Sequence, residues 1–366
     1  MGKANGKHHA TITEVASAAE VSIKTVSRVM LGNGPVSQRT REKVERVATK
    51  LGYVPNRIAS SLASGRTMSI AMVSPDIASI HFAEIALGAE NAATKAGYNL
   101  ILANTSGSPE HELDVLRFMH QTRVDGIIMA GARLPDADLL RALTRYPAFV
   151  SINHPLESKP NVHVTSEHAK GMLASVEHLA KLGRRTMAFM AGPANSYSAQ
   201  ERMRGFRRAM KKIDCAIDPA LIVPYTANFE SNYRNQWEWF NSADVGSARW
   251  NEMRSTLGLR GALDLLTAHP QVDAIACFED QLAFGVLRAC AQLGRRVPAD
   301  VAVIGCNDIP LASQVTPTLT TQRIPRYQIG ERAVEMLLEQ LNGARRIEPV
   351  IFPHELIFRE SAPALA

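Results

Sequence analysis

From residue 67 to the end of the chain, short apolar runs alternate with stretches of helical periodicity. Short, largely apolar runs are typical of strands that are buried on both faces of a sheet. Parallel strands of this kind need a crossover, usually a helix, between them. The alternation therefore predicts an α/β fold with doubly wound sheets, in two lobes with a ligand cleft between them. The predicted strands are Ser69–Val73, Asn99–Leu102, Asp125–Met129, Ala148–Ile152, Met187–Met190, Ala274–Cys277 and Val301–Ile304.

The positive charge of the chain lies in its first 66 residues. Residues 1–66 contain 11 basic and 4 acidic residues, whereas residues 67–366 contain the other 30 basic and 31 acidic residues. The first segment thus carries +7 and the remainder −1, which together give the net charge of +6. This distribution indicates a basic module for a polyanion, joined to a near-neutral body that binds something else. A solvated basic tail is the alternative.

Residues 12–30 form two short helical patterns separated by a turn at Glu20-Val21, with Thr13 and Ser22 as predicted caps. A third helix is predicted from Ser37 to a stop at Gly52. One face of the second helix is apolar, and the other is polar and cationic, with Ile23, Lys24, Thr25, Ser27 and Arg28. This pattern favours a helix-turn-helix, because one α-helix fits the DNA major groove. A helical hairpin without a role in DNA binding is the alternative.

The order and spacing of these residues closely resemble the headpiece of the lactose-repressor (LacI/GalR) family of bacterial transcriptional regulators. The matching segments are Val21–Val29, Val36-Ser37-x-x-Thr40-Arg41 and Leu51-Gly52-Tyr53-Val54-Pro55-Asn56. The likeness continues through Gly97-Tyr98, Val124–Ile128, Val176–Leu179 and Pro317-x-Leu319-Thr320-Thr321. The resemblance implies a DNA-binding headpiece at 1–55, a hinge at 56–66 and an effector-binding and dimerisation domain of periplasmic-binding-protein type at 67–366.

The resemblance also implies how the headpiece contacts operator DNA. We expect Ile23, Lys24 and Arg28 to meet base edges, because cationic side chains donate to guanine and aliphatic ones contact thymine methyls. The side chains expected at phosphates are Thr25, Ser27, Tyr53 and Asn56. In the family, hinge helices form on DNA, and Leu62 matches the leucine that wedges into the minor groove. A disordered linker with a leucine that only packs is the alternative.

For the body, the resemblance implies two lobes connected by three crossings of the chain, expected near Thr165, Val297 and Pro325. The N-lobe is then about 67–165 and 297–325, and the C-lobe about 166–296 and 326–366. A homodimer would present two headpieces to a pseudo-palindromic duplex. The last six residues are too short for a tetramerising heptad helix, so we expect a dimer.

The expected effector contacts match places where family members touch their ligand, namely Phe82, Asn153, Arg202, Phe229 and Asp280. Aromatic faces can cover a sugar ring, and charged groups can bind its hydroxyls, so we expect a sugar or a sugar derivative. A structural ion pair and core aromatics are the alternatives. Asn153 and Glu279 depart from the family, which commonly has an acid and a small or amide residue at these places.

Residues 232–257 are interpreted as an insertion between the Phe229 loop and a helix at Gly258–Thr267. The stretch contains all 3 tryptophans of the chain, Trp237, Trp239 and Trp250. They are interpreted as platforms over the cleft or as anchors that fix the insertion to the surface or to a dimer contact.

The sequence as a whole predicts a dimeric repressor whose operator affinity a small effector controls. A sugar-transport module and an enzyme on a doubly wound fold are the other classes weighed. A transport module should have a signal peptide and no basic headpiece, and an enzyme should show catalytic motifs, of which none is found. We expect no cofactor and no metal, since the spacing of His163 and His168 arises readily by chance. The four cysteines are expected to be buried thiols, and the protein cytoplasmic, without membrane contact.

Overall fold

The computed structural model describes residues 10–30, 34–54, 65–156, 162–225, 248–344 and 346–365. The chain divides into two compact units between Thr67 and Met68. The first unit contains the basic segment, and the second contains the alternating strands and helices.

Within its described residues, the first unit contains three helices, α1 (Ile12–Ala18), α2 (Ile23–Met30) and α3 (Gln38–Leu51). Ser37 caps α3, and Gly52 ends it in the left-handed conformation at φ 65°, both as predicted. The predicted cap of α1 at Thr13 is wrong. Thr11 is the cap, because the glutamate that completes its capping box stands three residues later, at Glu14.

One small apolar core holds the three helices together. Val15 of α1, Val26 of α2 and Val44 of α3 are fully buried within it. The hydroxyl of Ser22 accepts a hydrogen bond from the backbone N–H of Thr25 at 3.1 Å and so caps α2 as predicted. Because the apolar face of α2 is used in this core, its other face is free to meet a partner.

The second unit contains two sheets of six strands each, which confirms the predicted two-lobed α/β architecture. The first sheet has the order β11-β5-β4-β3-β1-β2, and all its neighbouring strands are parallel. Its strands are β1 (Ser69–Ser74), β2 (Asn99–Asn104), β3 (Gly126–Ala130), β4 (Phe149–Ile152), β5 (His163–Ser166) and β11 (Val350–Phe352).

The second sheet has the order β12-β10-β9-β8-β6-β7 and is parallel except for the pair β10–β12. Its strands are β6 (Met187–Met190), β7 (Ile222–Val223), β8 (Ala274–Cys277), β9 (Ala302–Asn307), β10 (Thr320–Arg323) and β12 (Glu355–Ile357). Each strand predicted from the sequence is present in one of the two sheets. The strands that were not predicted are short or lie near a sheet edge.

Helices cover both faces of each sheet, so that each lobe has two apolar clusters. The first sheet packs on α4 (Ile80–Lys95), α5 (Pro109–Gln121), α6 (Asp136–Leu143) and α11 (Arg326–Leu341). The second sheet packs on α7 (His168–Lys181), α8 (Tyr197–Lys212), α9 (Ala248–Ala268) and α10 (Asp280–Gln292). Helix α9 begins at Ala248, so the predicted insertion at 232–257 is shorter than expected, and the predicted helix at Gly258–Thr267 is longer.

The three crossings between the lobes differ from the prediction in one place. The chain crosses between β5 and α7, as expected near Thr165, and again at Ile324-Pro325, as expected near Pro325. The crossing predicted near Val297 is wrong, because β9 pairs with β8 and therefore stays in the second sheet. The third crossing is at Pro353-His354, between β11 and β12.

The lobe boundaries change accordingly. The N-lobe contains the first sheet with α4, α5, α6 and α11, and the C-lobe contains the second sheet with α7 to α10. Residues 297–325, expected in the N-lobe, lie in the C-lobe through β9 and β10. Residues 326–352, expected in the C-lobe, return to the N-lobe through α11 and β11.

Two further expectations concern the cysteines and the length of the helices. Cys277, Cys290 and Cys306 are buried free thiols as predicted, and Cys215 is a free thiol that is only partly buried. None of the helices in the described ranges has the length and apolar character that crossing a bilayer requires.

Glycines bring helices into close contact in both lobes. In the N-lobe, a Cβ on Gly330 of α11 would lie 1.9 Å from the backbone oxygen of Ile85 on α4. In the C-lobe, a Cβ on Gly285 of α10 would lie 2.1 Å from the backbone oxygen of Ser255 on α9. Because these neighbours are backbone atoms of packed helices, a side chain at either glycine forces the helices apart.

We expect Gly330→Ala to lower the free energy of unfolding by about 1–3 kcal/mol, the usual cost of overpacking. The gain of about 1 kcal/mol in helix propensity acts in the opposite direction but cannot relieve a clash with backbone. Urea denaturation measures the difference. The control Gln328→Ala changes an exposed residue of the same helix and should stay within about 0.5 kcal/mol of the wild type. Equal stability of Gly330→Ala and the wild type would contradict the close helix contact.

Candidate functional sites

A small cavity of about 50 Å³ lies between the two lobes. Its lining comes from loops and helix starts that follow the carboxyl ends of the parallel strands, which is where open α/β sheets bind ligands. The residues of interest in this lining are Phe82, Arg133 and Asn153 from the N-lobe, and Arg202, Arg254 and Glu279 from the C-lobe.

Phe82 forms an apolar part of the N-lobe wall. It stands in the first turn of α4, and its ring lies close to Gly131, which follows β3. A Cβ on Gly131 would be 3.0 Å from the ring, and the backbone there has a φ of +61°, so this position favours glycine for two reasons. The glycine lets the aromatic ring approach the backbone of this wall closely.

Arg202 is the central cation of the C-lobe wall. It projects from α8 and is 3% exposed. Its Nη1 donates to the backbone oxygen of Phe278 at 2.6 Å, and its guanidinium carbon lies 4.6 Å from the centre of the Phe278 ring. These contacts fix the plane of the guanidinium, as cation–π pairs do. Its Nε has no hydrogen-bond partner among the described residues.

Arg254 joins the two lobes through an ion pair. Its Nη2 lies 2.8 Å from Asp76 Oδ2, in the N-lobe loop after β1, and its Nε lies 3.3 Å from Glu279 Oε1 in the C-lobe. All three side chains are largely buried, at 11%, 8% and 7% exposed. Sequence reasoning missed Arg254 because it lies in the stretch interpreted as an insertion. Continuing the helix one turn upstream of Gly258 would have placed it beside the cleft.

A second polar contact between the lobes involves Asn153, which follows β4 with a φ of +52°. Its Oδ1 lies 3.0 Å from Nε2 of His168, at the start of α7, and accepts from the hydroxyl of Thr165 at 3.3 Å. His354, on the third crossing, packs on the His168 ring at 5.3 Å between centroids. The lobes are thus linked by hydrogen bonds as well as by the ion pair of Arg254.

Asp280 has a different place from the predicted one. It is fully buried and does not line the cavity. Its Oδ2 accepts from the backbone N–H of Ile309 at 2.9 Å, and its Oδ1 accepts from the Thr321 hydroxyl at 2.5 Å. Because both oxygens have protein donors, the carboxylate ties α10 to the loop after β9 and to β10. The carboxylate that faces the cavity belongs to its neighbour Glu279.

Burial changes the ionisation of several groups in and beside the cleft. It raises the pKa of Asp280 to about 6 and also raises the pKa of Glu279, against the pull of Arg254 and Arg202. Burial, together with nearby guanidinium groups, lowers the pKa of His81 and of His168 well below the ordinary value. These imidazoles are therefore neutral at pH 7.

The described residues include no group of three or more His, Cys, Asp or Glu arranged to hold a metal ion. Of the predicted effector contacts, the structure brings Phe82, Asn153 and Arg202 to one cavity, and it places Asp280 behind that cavity. Phe229, Trp237 and Trp239 lie outside the described residues.

The headpiece carries the second candidate site, on the exposed face of α2. Ile23 is 49% exposed at the first position of the helix, and Lys24 beside it is also exposed. Ser27 and Arg28 follow one turn later on the same side and are partly buried, while Val26 and Val29 face the core. An exposed isoleucine beside two cations suits a surface that meets both thymine methyls and anionic or acceptor groups.

The remaining predicted DNA contacts have mixed positions. The hydroxyl of Thr25 lies 2.9 Å from the hydroxyl of Ser22, so it takes part in capping α2. Tyr53 packs against the core of the headpiece, and burial raises its pKa. Asn56, Leu62 and most of the predicted hinge at 56–66 lie outside the described residues.

Three families match successive parts of the chain. Residues 11–56 match bacterial regulatory proteins of the lacI family. Residues 67–219 match the periplasmic binding proteins and sugar binding domain of the LacI family, and residues 176–362 match the periplasmic binding protein-like domain. The order of these matches agrees with the two units of the structure.

Curated relatives match almost end to end. The HTH-type transcriptional repressor PurR of Vibrio vulnificus is 31% identical over 355 residues, which cover 96% of this chain and 98% of that protein. The catabolite control protein A of Staphylococcus xylosus is 31% identical over 353 residues, which cover 95% of this chain and 98% of that protein.

Solved structures match over the same length. The Lac repressor dimer bound to operator and the anti-inducer ONPF aligns with a TM-score of 0.80 at 25% identity, over 98% of this chain and 100% of that one. The complex of the transcriptional regulator CelR with cellobiose aligns with a TM-score of 0.66 at 27% identity, over 96% of this chain and 100% of that one. The chain belongs to the LacI family of bacterial regulatory proteins.

Proposed function

We propose that this protein is a transcriptional repressor that binds operator DNA as a homodimer. A small effector, a sugar or a sugar derivative, binds between the lobes and changes the operator affinity. The Lac repressor dimer that this chain resembles is bound to operator, and the CelR regulator is bound to cellobiose. Arg28, Lys24 and Ile23 are the proposed base contacts, while Thr25, Ser27, Tyr53 and Asn56 are proposed at phosphates and Leu62 in the minor groove.

The observation that carries the effector part of this proposal is the pair of polar contacts across the cleft, Asp76–Arg254 and Asn153–His168. The chain already connects the two lobes at three crossings. Both polar contacts lie between these lobes, so they set how close the lobes lie. The cavity of about 50 Å³ is far below the several hundred Å³ of ordinary ligand sites. A sugar therefore requires these contacts to rearrange, and its binding shifts the population between two lobe arrangements.

In this proposal the cleft has a regulatory role and no catalytic one. The relatives that match end to end are regulators, and the described residues that line the cavity include no nucleophile paired with a base. We propose that Phe82, Asn153, Arg202 and Phe229 contact the effector, that no cofactor is needed, and that the protein acts on DNA in the cytoplasm. A sugar-transport module is disfavoured by the headpiece with its exposed cationic helix.

The direct test is selection of duplexes from a random pool with the full chain at a fixed salt concentration, because salt strongly changes DNA affinity. We expect enrichment of a pseudo-palindrome with a central C-G step, as two headpieces and a minor-groove wedge require. Selection repeated in the presence of a metabolite extract covers the case of a required co-repressor. No enriched motif in either selection would contradict the proposal.

Arg28→Ala should weaken binding to the enriched duplex by about 1–3 kcal/mol for each half-site and relax sequence preference at the matching position of both half-sites, since a side chain that reads a base edge contributes about that much. Titrations with the enriched and a scrambled duplex measure both effects. Arg208→Ala is the matched control, because it removes an exposed cation from α8 in the C-lobe. An unchanged ratio of specific to non-specific affinity in Arg28→Ala would contradict the assignment.

Asp280 is proposed to hold the loop after β9 and not to contact the effector. Its pKa of about 6, above the ordinary 3.8, means that the folded protein binds the proton more tightly than the unfolded chain. The contribution of Asp280 to stability therefore falls as pH rises from about 4 to 7. Asn does not titrate, so the stability of Asp280→Asn relative to the wild type should rise by about 2–3 kcal/mol over this range.

Urea denaturation at several pH values measures this difference, with Asp264→Asn, an exposed carboxylate on α9, as the control for the charge change. If the difference in the free energy of unfolding between Asp280→Asn and the wild type did not depend on pH, the surroundings of Asp280 would not raise its pKa.

A further inference from the structure

The charged side chains that line the cleft are unequal in number. Three guanidinium groups, those of Arg133, Arg202 and Arg254, face one carboxylate, that of Glu279, among the described residues. Neutral polar groups, including the imidazoles of His81 and His168 and the side chain of Asn307, make up the rest of the polar lining. Among the charged groups of this lining, a ligand in the cavity therefore meets mostly positive charge.

The carboxylates behind this lining already have protein donors. Both oxygens of Glu112 accept backbone N–H groups, from Arg133 at 2.9 Å and Leu134 at 3.1 Å. The oxygens of Asp76 accept from Arg254 at 2.8 Å and from the backbone N–H of Ala78 at 3.0 Å. They reduce the net charge of the region but present little free acceptor capacity to a ligand.

The guanidinium groups, in contrast, keep unused donors. Arg202 Nε and Arg254 Nη1 are buried without a hydrogen-bond partner among the described residues. Arg254 Nε, in contrast, faces Glu279 Oε1 at 3.3 Å. Arg202, at 3% exposed, also has no carboxylate within ion-pair distance in the described part of the chain. Among the described residues, the side chain of Arg133 donates to the backbone oxygens of Gly131 and Ala132 alone, at 2.9 and 3.2 Å.

A buried charge and buried donors without partners are costly to folding, so a site that retains them is built for a ligand that supplies the partner. Guanidinium groups bind carboxylate and phosphate through charge-assisted, often bidentate hydrogen bonds. The aromatic wall of Phe82 adds a face for an apolar ring surface. A neutral sugar could use the wall but would leave the charge of Arg202 unmatched.

We propose that the effector is anionic, a polyhydroxylated molecule with a carboxylate or phosphate group held by Arg202 and Arg254 and faced by Arg133 from the other lobe. This inference rests on the proposed function of the cleft. Because Arg133 belongs to the N-lobe and Arg202 to the C-lobe, an anion between them attracts both lobes. The anion also competes with Asp76 for the guanidinium of Arg254. Effector binding is thereby connected to the ion pair between the lobes.

The test is ligand binding to the full chain, followed by thermal shift and calorimetry at constant ionic strength. The probes are D-gluconate, D-glucose 6-phosphate, D-glucose and inorganic phosphate. We expect inorganic phosphate and at least one sugar anion to stabilise the protein, and that anion to bind at least about tenfold more tightly than glucose, because charge-assisted bonds are about twice as strong as neutral ones. Gluconate and glucose 6-phosphate distinguish a carboxylate from a phosphate.

Arg202→Gln should abolish the stabilisation by anions, and Arg254→Gln provides a second variant in case the first does not fold. Arg208→Gln, an exposed arginine on the same helix as Arg202, is the matched control and should bind anions like the wild type. Arg28→Ala shows whether the anions bind the headpiece.

Three results would overturn the inference: glucose binding as tightly as the anions, no stabilisation by any of the anions, or stabilisation that persists in Arg202→Gln and Arg254→Gln. Duplex binding measured on the same samples separates this inference from the proposed function. A neutral sugar that releases the enriched duplex would refute the anionic effector and leave the regulator intact. Anion binding without any duplex preference would support the anionic ligand and refute the proposed regulator.

Discussion

In our proposal, the arrangement of the two lobes depends most on the buried ion pair between Asp76 and Arg254. It is largely buried, it joins the loop after β1 of one sheet to α9 of the other, and it borders the cavity. Removing one partner of a buried pair leaves an uncompensated charge, so such a contact is either made fully or replaced by another partner. A ligand with its own charge can be that partner, which makes the distance between the lobes sensitive to what the cleft contains.

The rest of the effector domain keeps this contact in place. Glycine-mediated helix pairs, α4 with α11 and α9 with α10, pack the helices of each lobe closely, because backbone packs directly on backbone. Helix α9 carries both Arg254 and the glycine contact with α10, so the position of the guanidinium follows from helix packing. A closely packed lobe on each side of three crossings favours movement as a hinge between two arrangements.

Much of this could be predicted from the sequence, and the failures have physical causes. Apolar runs identified the central strands because strands buried on both faces lack polar residues. Apolar runs do not tell which sheet a strand joins, and the crossing that the family resemblance implies near Val297 is wrong because β9 pairs with β8. The edge strand Val350–Phe352 follows Pro349 and precedes Pro353, so it has the composition of a loop. Asp280 and Glu279 are neighbours, and only the geometry at the start of α10 decides which of them faces the cavity.

The most direct test of the central claim is a double-mutant cycle on duplex affinity with Asp76→Asn, Arg254→Gln and the combined variant, without added small molecules. If the ion pair between the lobes controls the headpieces, both single variants change the affinity for the enriched duplex in the same direction, and the combined variant changes it no more than either alone. If duplex affinity is unchanged by all three, the arrangement of the lobes does not govern DNA binding and the account is wrong.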